Sequence, residues 1–168
     1  MHQYDYVIVG AGSAGSALAS RLSESGKFTV CLLEAGGSDR KFWVQMPLGY
    51  GKVFHDPSVN WRYMTEPEPN LDNQSVYWPR GKVLGGSSSI NAMVWVRGHK
   101  RDYEEWASVA PGWDWNNVQK IFNRIENWDG TSDVSRGMNG PQAVHDVSSD
   151  VHPLTISYLE AASQIGIK

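Results

Sequence analysis

Residues 4–34 read YDYVIVGAGSAGSALASRLSESGKFTVCLLE, and their pattern decides the fold. Positions 4–9 are rich in aromatic and β-branched residues, and the apolar run at the end of this segment suits a strand of a parallel sheet covered on both faces. Gly10, Gly12 and Gly15 follow at once as a GxGxxG. From Ala14 the period turns helical, with Leu18 and Leu22 at a step of four and Ala17 alongside, until Ser25-Gly26 supplies a stop. Residues 28–33 form a second strand that ends on Glu34. Strand, helix and strand make a βαβ unit, so the fold class is α/β and Rossmann-like.

The spacing has a chemical meaning. Gly10 permits the tight turn, Gly12 lets a pyrophosphate approach the backbone, and Gly15 lets helix and strand pack closely. Glu34 lies nineteen residues after Gly15, where a carboxylate can accept both hydroxyls of an adenosine ribose. A GxGxxG that follows a strand, opens a helix and is followed by an acidic strand end points to a dinucleotide. FAD and a nicotinamide cofactor both remain open at this point.

A second stretch, RGKVLGGSSSIN at residues 80–91, is built for close approach. Gly85 and Gly86 remove two adjacent side chains ahead of Ser87, Ser88 and Ser89, so backbone can come near something flat or charged. A helix is expected to start near Ser87, aiming its free N–H groups at a phosphate or an electron-rich ring. A glycine-rich turn before a buried helix is the reading without a ligand.

Composition narrows the function further. With 40% hydrophobic and 20% charged residues, the 168-residue chain is globular, and long enough for one domain with a real core. A net charge of −3 without a basic block argues against nucleic acid as a partner. Cys31, the single cysteine, cannot form an intrachain disulfide and reads as a small core residue. His2, His55, His99, His145 and His152 show no ligand spacing, so no metal site is expected. There is no charged leader before a long apolar segment, and no run of eighteen apolar residues. A soluble, cytoplasmic protein is expected. The eight tryptophans read as core and interface anchors before they read as a ligand cage.

Between the two motifs, residues 42–54 should lie across the domain as short helical turns. Residues 60–65 and 75–78 read as two strands of a ribbon, broken by the proline-rich residues 66–70. Beyond Gly98, helices are expected at residues 102–109 and 116–126, a polar loop at 129–140, a strand at 142–147, and a helix opened by Pro153 and stopped by Gly166. No catalytic constellation appears among these elements.

The βαβ unit ending in Glu34-Ala35-Gly36, the segment from Asn60-Trp61 to Pro67, and above all residues 81–91 with Trp95, Gly98 and Glu104 resemble the glucose–methanol–choline (GMC) family of FAD-dependent alcohol oxidoreductases, nearest its choline-dehydrogenase-like branch. The resemblance runs from Tyr4 to the last residue, whereas family members are several times longer. It implies FAD as cofactor, with the pyrophosphate held by Gly10, Gly12, Ser13, Ala14 and Gly15 and the ribose by Glu34 beside Ala35. Val83, Gly86, Ser87, Asn91, Ala92 and Val94 would lie along pyrophosphate and flavin. Some members carry a covalent histidine where this chain has Ile90, so the flavin should be noncovalent.

The resemblance also implies oxidation of a primary alcohol to an aldehyde by hydride transfer to flavin N5, with a small alcohol as substrate. The histidine that takes the hydroxyl proton comes from near the family's C-terminus, so no catalytic residue is expected in this chain. A nicotinamide-dependent reductase would share the βαβ unit and have no use for the second motif. A non-catalytic, truncated FAD-binding module would have both motifs and no turnover.

The expected organisation follows. Residues 1–36 and 76–98 form the N-terminal part of an FAD-binding domain, 37–75 a connecting or lid segment with a β-ribbon, and 99–168 the helical start of a substrate or cap domain. No second βαβ unit follows Leu33, so the sheet is incomplete in this chain. Its open edges and apolar faces call for a second polypeptide that carries the C-terminal part.

Overall fold

The computed structural model describes residues 3–167, which fall into two compact units divided between Val94 and Trp95.

The first unit opens with β1 (Tyr6–Val9), α1 (Ser13–Ser23) and β2 (Val30–Leu33). β1 and β2 pair in parallel, from Tyr6 against Val30 to Val9 against Leu33. Asp5 pins this register, because its carboxylate accepts the N–H and the hydroxyl of Thr29 at 2.7 and 2.8 Å. Those hydrogen bonds, the one to the Thr29 backbone foremost, hold the Asp5 carboxyl below the usual aspartate range. Among the described residues the sheet has these two strands and no more. Val7 and Val9 are 58% and 84% exposed, so the apolar run that suits a covered sheet is uncovered here, in keeping with an incomplete sheet. Cys31 is half-buried, not a core residue.

Two short helices follow, α2 (Phe42–Gln45) and α3 (Tyr50–Val53), with a 3-10 turn at Pro47–Gly49 between them. They bring Val53 to Val59, Val83 and Ile90, which together form the core of the unit with Val44 packed against it. Residues between the two motifs thus supply half of this cluster. A ribbon of β3 (Tyr63–Met64) and β4 (Tyr77–Trp78) pairs antiparallel.

The helix expected from Ser87 does not form. Gly86–Ser89 makes one 3-10 turn instead. The Ser88 hydroxyl donates to Gly85 O at 2.5 Å and that of Ser89 to Leu84 O at 2.7 Å, so these side chains compete for carbonyls and favour a tight turn.

The second unit contains α4 (Lys100–Ala107), α5 (Trp115–Ile125), β5 (Glu126–Trp128), β6 (Gln142–Val144) and α6 (Pro153–Gln164). His99 and Asp102 cap α4 reciprocally, and the Asp114 carboxylate accepts Asn117 N–H at the start of α5. Tyr103 gathers Trp106, Trp115 and Phe122 within 6.2 Å between ring centroids, yet Trp106 is exposed, as are Trp43, Trp61, Trp78 and Trp113, so the expected core role of the tryptophans does not extend to these five. β5 pairs in parallel with β6.

The residue that holds β5 and the following loop is Glu126, whose side chain is fully buried. Its carboxylate meets Arg97 at 2.5 Å and Arg136 at 2.9 Å and accepts Gly137 N–H at 2.8 Å. The polar loop at 129–140 is therefore tied down at one end. No helix among the described residues is long and apolar enough to cross a membrane.

Candidate cofactor site

Two loops meet at the C-terminal end of β1. The first, from Gly10 to the start of α1, is held from beneath by Glu34, whose carboxylate accepts Ala11 N–H and Gly36 N–H, each at 2.8 Å. One side chain thereby fixes the glycine loop to the end of β2. Ala11 is buried, and its carbonyl accepts Gly85 N–H at 2.8 Å and the Ser16 hydroxyl at 3.0 Å. The second loop is thus hydrogen-bonded directly to the first. Gly37 O accepts Leu84 N–H at 2.9 Å and adds a further tie.

Glycine is required at two points of this junction. At Gly15 an added Cβ would stand 1.9 Å from Gly10 O and 3.4 Å from Ile8 Cγ2, which gives the close packing of helix on strand expected from the motif. At Gly86 a Cβ would fall 2.9 Å from Gly12 Cα, and the backbone there has φ +59°. The two loops therefore touch backbone to backbone, leaving a surface without side chains.

The polar groups at this surface suit a diphosphate. α1 is eleven residues long, Gly12 at its N-cap offers no side chain, and its first hydrogen bond runs from Ser16 N–H to Gly12 O at 2.9 Å. The amides of Ser13, Ala14 and Gly15 precede that bond, so they have no partner within the helix. They carry the positive end of its dipole. Ser13 and Ala14 are exposed and Gly12 is half-buried. Glu34 is half-buried and Ala35 exposed. The carboxylate oxygens of Glu34 retain lone pairs beyond the two they use, which a ribose can share. The residues present thus fit an adenine dinucleotide.

The remaining predicted residues trace a line away from the junction. Val83 is fully buried in the core with its backbone in the second loop, so it can meet a ligand only through main-chain atoms. The Ser87 hydroxyl accepts Gly81 N–H at 3.0 Å. Asn91 turns its Oδ1 onto Met93 N–H at 2.8 Å, and Asn91, Ala92 and Val94 are exposed. Gly10, Gly12, Ser13, Ala14, Gly15, Glu34 and Gly86 are brought together. Asn91, Ala92 and Val94 form a separate exposed run that continues the second loop.

Sequence reasoning missed Ser16, Gly36 and Asn60. Asn60 is 2% exposed. Its Oδ1 accepts Arg62 N–H and Arg80 N–H, each at 2.9 Å, while its amide donates to Phe54 O at 2.8 Å. It thereby anchors the start of the second motif. The sequence placed it at the head of the Asn60-Trp61 to Pro67 segment without a role, because nothing local named the partner twenty positions away.

The GMC oxidoreductase family pattern matches residues 4–168. The chain is 46% identical over 165 residues to an oxygen-dependent choline dehydrogenase of Photobacterium profundum, covering 97% of this chain and 29% of that protein. It is 47% identical over 167 residues to one of Rhizobium etli, covering 99% and 30%. Among solved structures, pyridoxine 4-oxidase from Mesorbium loti superposes with a TM-score of 0.89 at 34% identity, over 98% of this chain and 32% of that one. A formate oxidase superposes with a TM-score of 0.84 at 26% identity, over 97% and 30%. The chain thus spans about a third of the length of the proteins it matches. Between the two cofactors that the βαβ unit left open, these likenesses decide for FAD, and the chain belongs to the GMC oxidoreductase family, choline-dehydrogenase-like, of which it is an FAD-binding N-terminal portion.

Proposed function

We propose that this chain forms the cofactor-holding part of an enzyme that oxidises a primary alcohol to an aldehyde. The observation that carries the reading is the side-chain-free surface where the Gly12 and Gly86 backbones meet beside the uncapped start of α1. The amides of Ser13, Ala14 and Gly15 hold the diphosphate, and Glu34 accepts the ribose hydroxyls. The backbone of Gly86 and Ser87, with Asn91, Ala92 and Val94, lies toward the flavin, which is held without a covalent bond because Ile90 offers no nucleophile. Bound there, FAD supplies a two-electron acceptor for the hydride of the carbinol carbon.

The hydroxyl proton goes to a histidine outside these residues. In this reading residues 1–36 and 76–98 belong to the FAD-binding domain, 37–75 connect it, and 99–168 begin the substrate domain. The remainder of the enzyme, as a second chain or as the C-terminal part of the same one, covers the faces of β1 and β2 and brings the histidine. That Val7, Val9 and Leu33 stand open supports a covering element, and the threefold greater length of the relatives provides for one. The relatives' names, choline dehydrogenase and pyridoxine oxidase, supply the first alcohols to try.

The whole enzyme isolated from its natural source should be yellow, and choline or pyridoxine added without oxygen should bleach it. Bleaching by a nicotinamide and by no primary alcohol would overturn the reading. Intact mass of the same preparation reads whether the histidine arrives on a second chain.

A further inference from the structure

Among the described residues, Asn60 and Glu126 are the buried polar side chains, and of these Asn60 lies in the unit that carries the cofactor site. Its setting is closed at 2% exposure, and any further part of the enzyme can only deepen that burial. A carboxamide buried this far must have its donor and acceptor matched. Both are: Oδ1 accepts Arg62 N–H and Arg80 N–H, each at 2.9 Å, and the amide donates to Phe54 O at 2.8 Å.

The two accepted bonds act differently. Arg62 has φ +54°, a left-handed conformation that is unfavourable for a residue with a Cβ. The bond from its N–H to the side chain two residues earlier holds it there. The bond to Arg80 spans twenty positions and reaches the head of the second motif. Trp61 N–H donates to Arg80 O at 2.9 Å and Lys82 N–H to Val59 O at 2.7 Å, so residues 80–82 run antiparallel beside residues 59–61, with Asn60 opposite Gly81.

Gly81 passes this placement on. A Cβ added there would stand 2.2 Å from Gly86 C and O and 2.6 Å from Ser87 N, and Gly81 N–H donates to Ser87 Oγ at 3.0 Å. The Gly86–Ser87 peptide therefore rests directly on the Gly81 backbone. Packing this close transmits a shift of one segment to the next. We propose that Asn60 is a positioning residue for FAD: through Arg80 and Gly81 it fixes the Gly86–Ser87 peptide against which the flavin lies. This rests on the cofactor reading given above.

The test uses the whole flavin-loaded enzyme, with FAD affinity and the visible circular dichroism of the bound flavin as readouts. Asn60→Leu keeps the volume and removes the acceptor, so the FAD dissociation constant should rise by about tenfold or more, and the dichroism should change with the surroundings of the ring. Asn60→Ser, whose hydroxyl is too short to reach Arg80, gives the same reading should Asn60→Leu fail to fold. Asn60→Asp keeps an oxygen for both N–H groups, while the Tyr77 hydroxyl still donates to Phe54 O. It should return the parent dichroism and an affinity within about threefold of the parent. Tyr77→Phe takes a donor from the same carbonyl and leaves Arg80 its acceptor, so it should lower stability to urea without moving either flavin readout. Parent affinity and dichroism in an Asn60→Leu enzyme of lowered stability would overturn the proposal, as would flavin changes in Tyr77→Phe as large as those in Asn60→Leu. If Gly86→Ala weakens FAD binding and Asn60→Leu does not, this proposal alone falls. If neither does, the cofactor reading falls with it.

Discussion

Gly86→Ala tests the central contact of the site with a single methyl group. The new Cβ would stand 2.9 Å from Gly12 Cα, well inside the ~3.5–4.0 Å at which carbon atoms attract. Relief requires the two loops to part, which at overpacked sites costs about 1–3 kcal/mol. The φ of +59° adds about 1–2 kcal/mol for any residue with a Cβ. Gly26→Ala separates the two effects, because Gly26 has φ +67° and nothing within 4 Å of its would-be Cβ. It should show the conformational cost alone. The difference between the two variants, about 1–3 kcal/mol in urea unfolding of the whole protein, is the steric part. The parting of the loops also disturbs the surface that takes the diphosphate, so FAD titration by flavin fluorescence should show roughly 5- to 150-fold weaker binding in Gly86→Ala and little change in Gly26→Ala. Equal behaviour of the two variants in both measurements would refute the idea that Gly12 and Gly86 form one surface.

Glu34→Ala removes an acceptor for Ala11 and Gly36 as well as for ribose, and should weaken FAD binding by about ten- to a hundredfold, a charge-assisted bond being worth about 1.5–3 kcal/mol. Unchanged flavin retention on a desalting column would dismiss it as a cofactor ligand. Acid precipitation of the loaded protein should leave a colourless pellet, since Ile90 cannot bond the flavin; a yellow pellet would refute this. Asp5, whose carboxyl is held below the usual range by Thr29, stabilises the fold above the unfolded aspartate pKa near ~3.9 and loses that contribution as pH falls through its lower folded value. Asp5→Asn should therefore flatten the dependence of stability on pH below about 4, and a chemical-shift titration that places Asp5 above ~3.9 would contradict the sign. Glu126→Ala leaves Arg97 and Arg136, 12% and 25% exposed, without their anion and should destabilise the protein by about 3–5 kcal/mol in urea; a loss under about 1 kcal/mol would mean the cluster contributes little.

What the sequence disclosed was what local pattern can encode. β1, α1 and β2 were legible because the apolar run, the glycine spacing and the period of four all act within thirty residues. Glu34 was legible as an acid at the strand end, but its grip on Ala11 and Gly36 needs the fold. β5 left no trace. Glu126, Asn127 and Trp128 have no strand period, and the segment is held through Glu126 by Arg97, Arg136 and Gly137, partners set by tertiary structure. The expected helix at Ser87 failed for a local reason that propensity undervalues, since serines hydrogen-bond neighbouring carbonyls and the glycines before them turn left-handed.

The composition of the second motif follows from how the loop is fixed. Val83 and Ile90 are driven into the same core as Val53 and Val59, at the two ends of the segment that crosses Gly12. The loop is thus held from below by apolar side chains and at its edges by main-chain bonds to Ala11 and Gly37. It needs no side chain on its upper surface, and an added Cβ would meet Ser89 Oγ at 2.1 Å from Gly85 and Gly12 Cα at 2.9 Å from Gly86. A ligand there meets backbone that cannot retreat, because the core beneath is packed and deformation is felt at one methylene. Affinity at such a surface depends on residues that never touch the ligand. Enlarging Val59 or Val83 should therefore disturb the cofactor as surely as altering Gly86 itself.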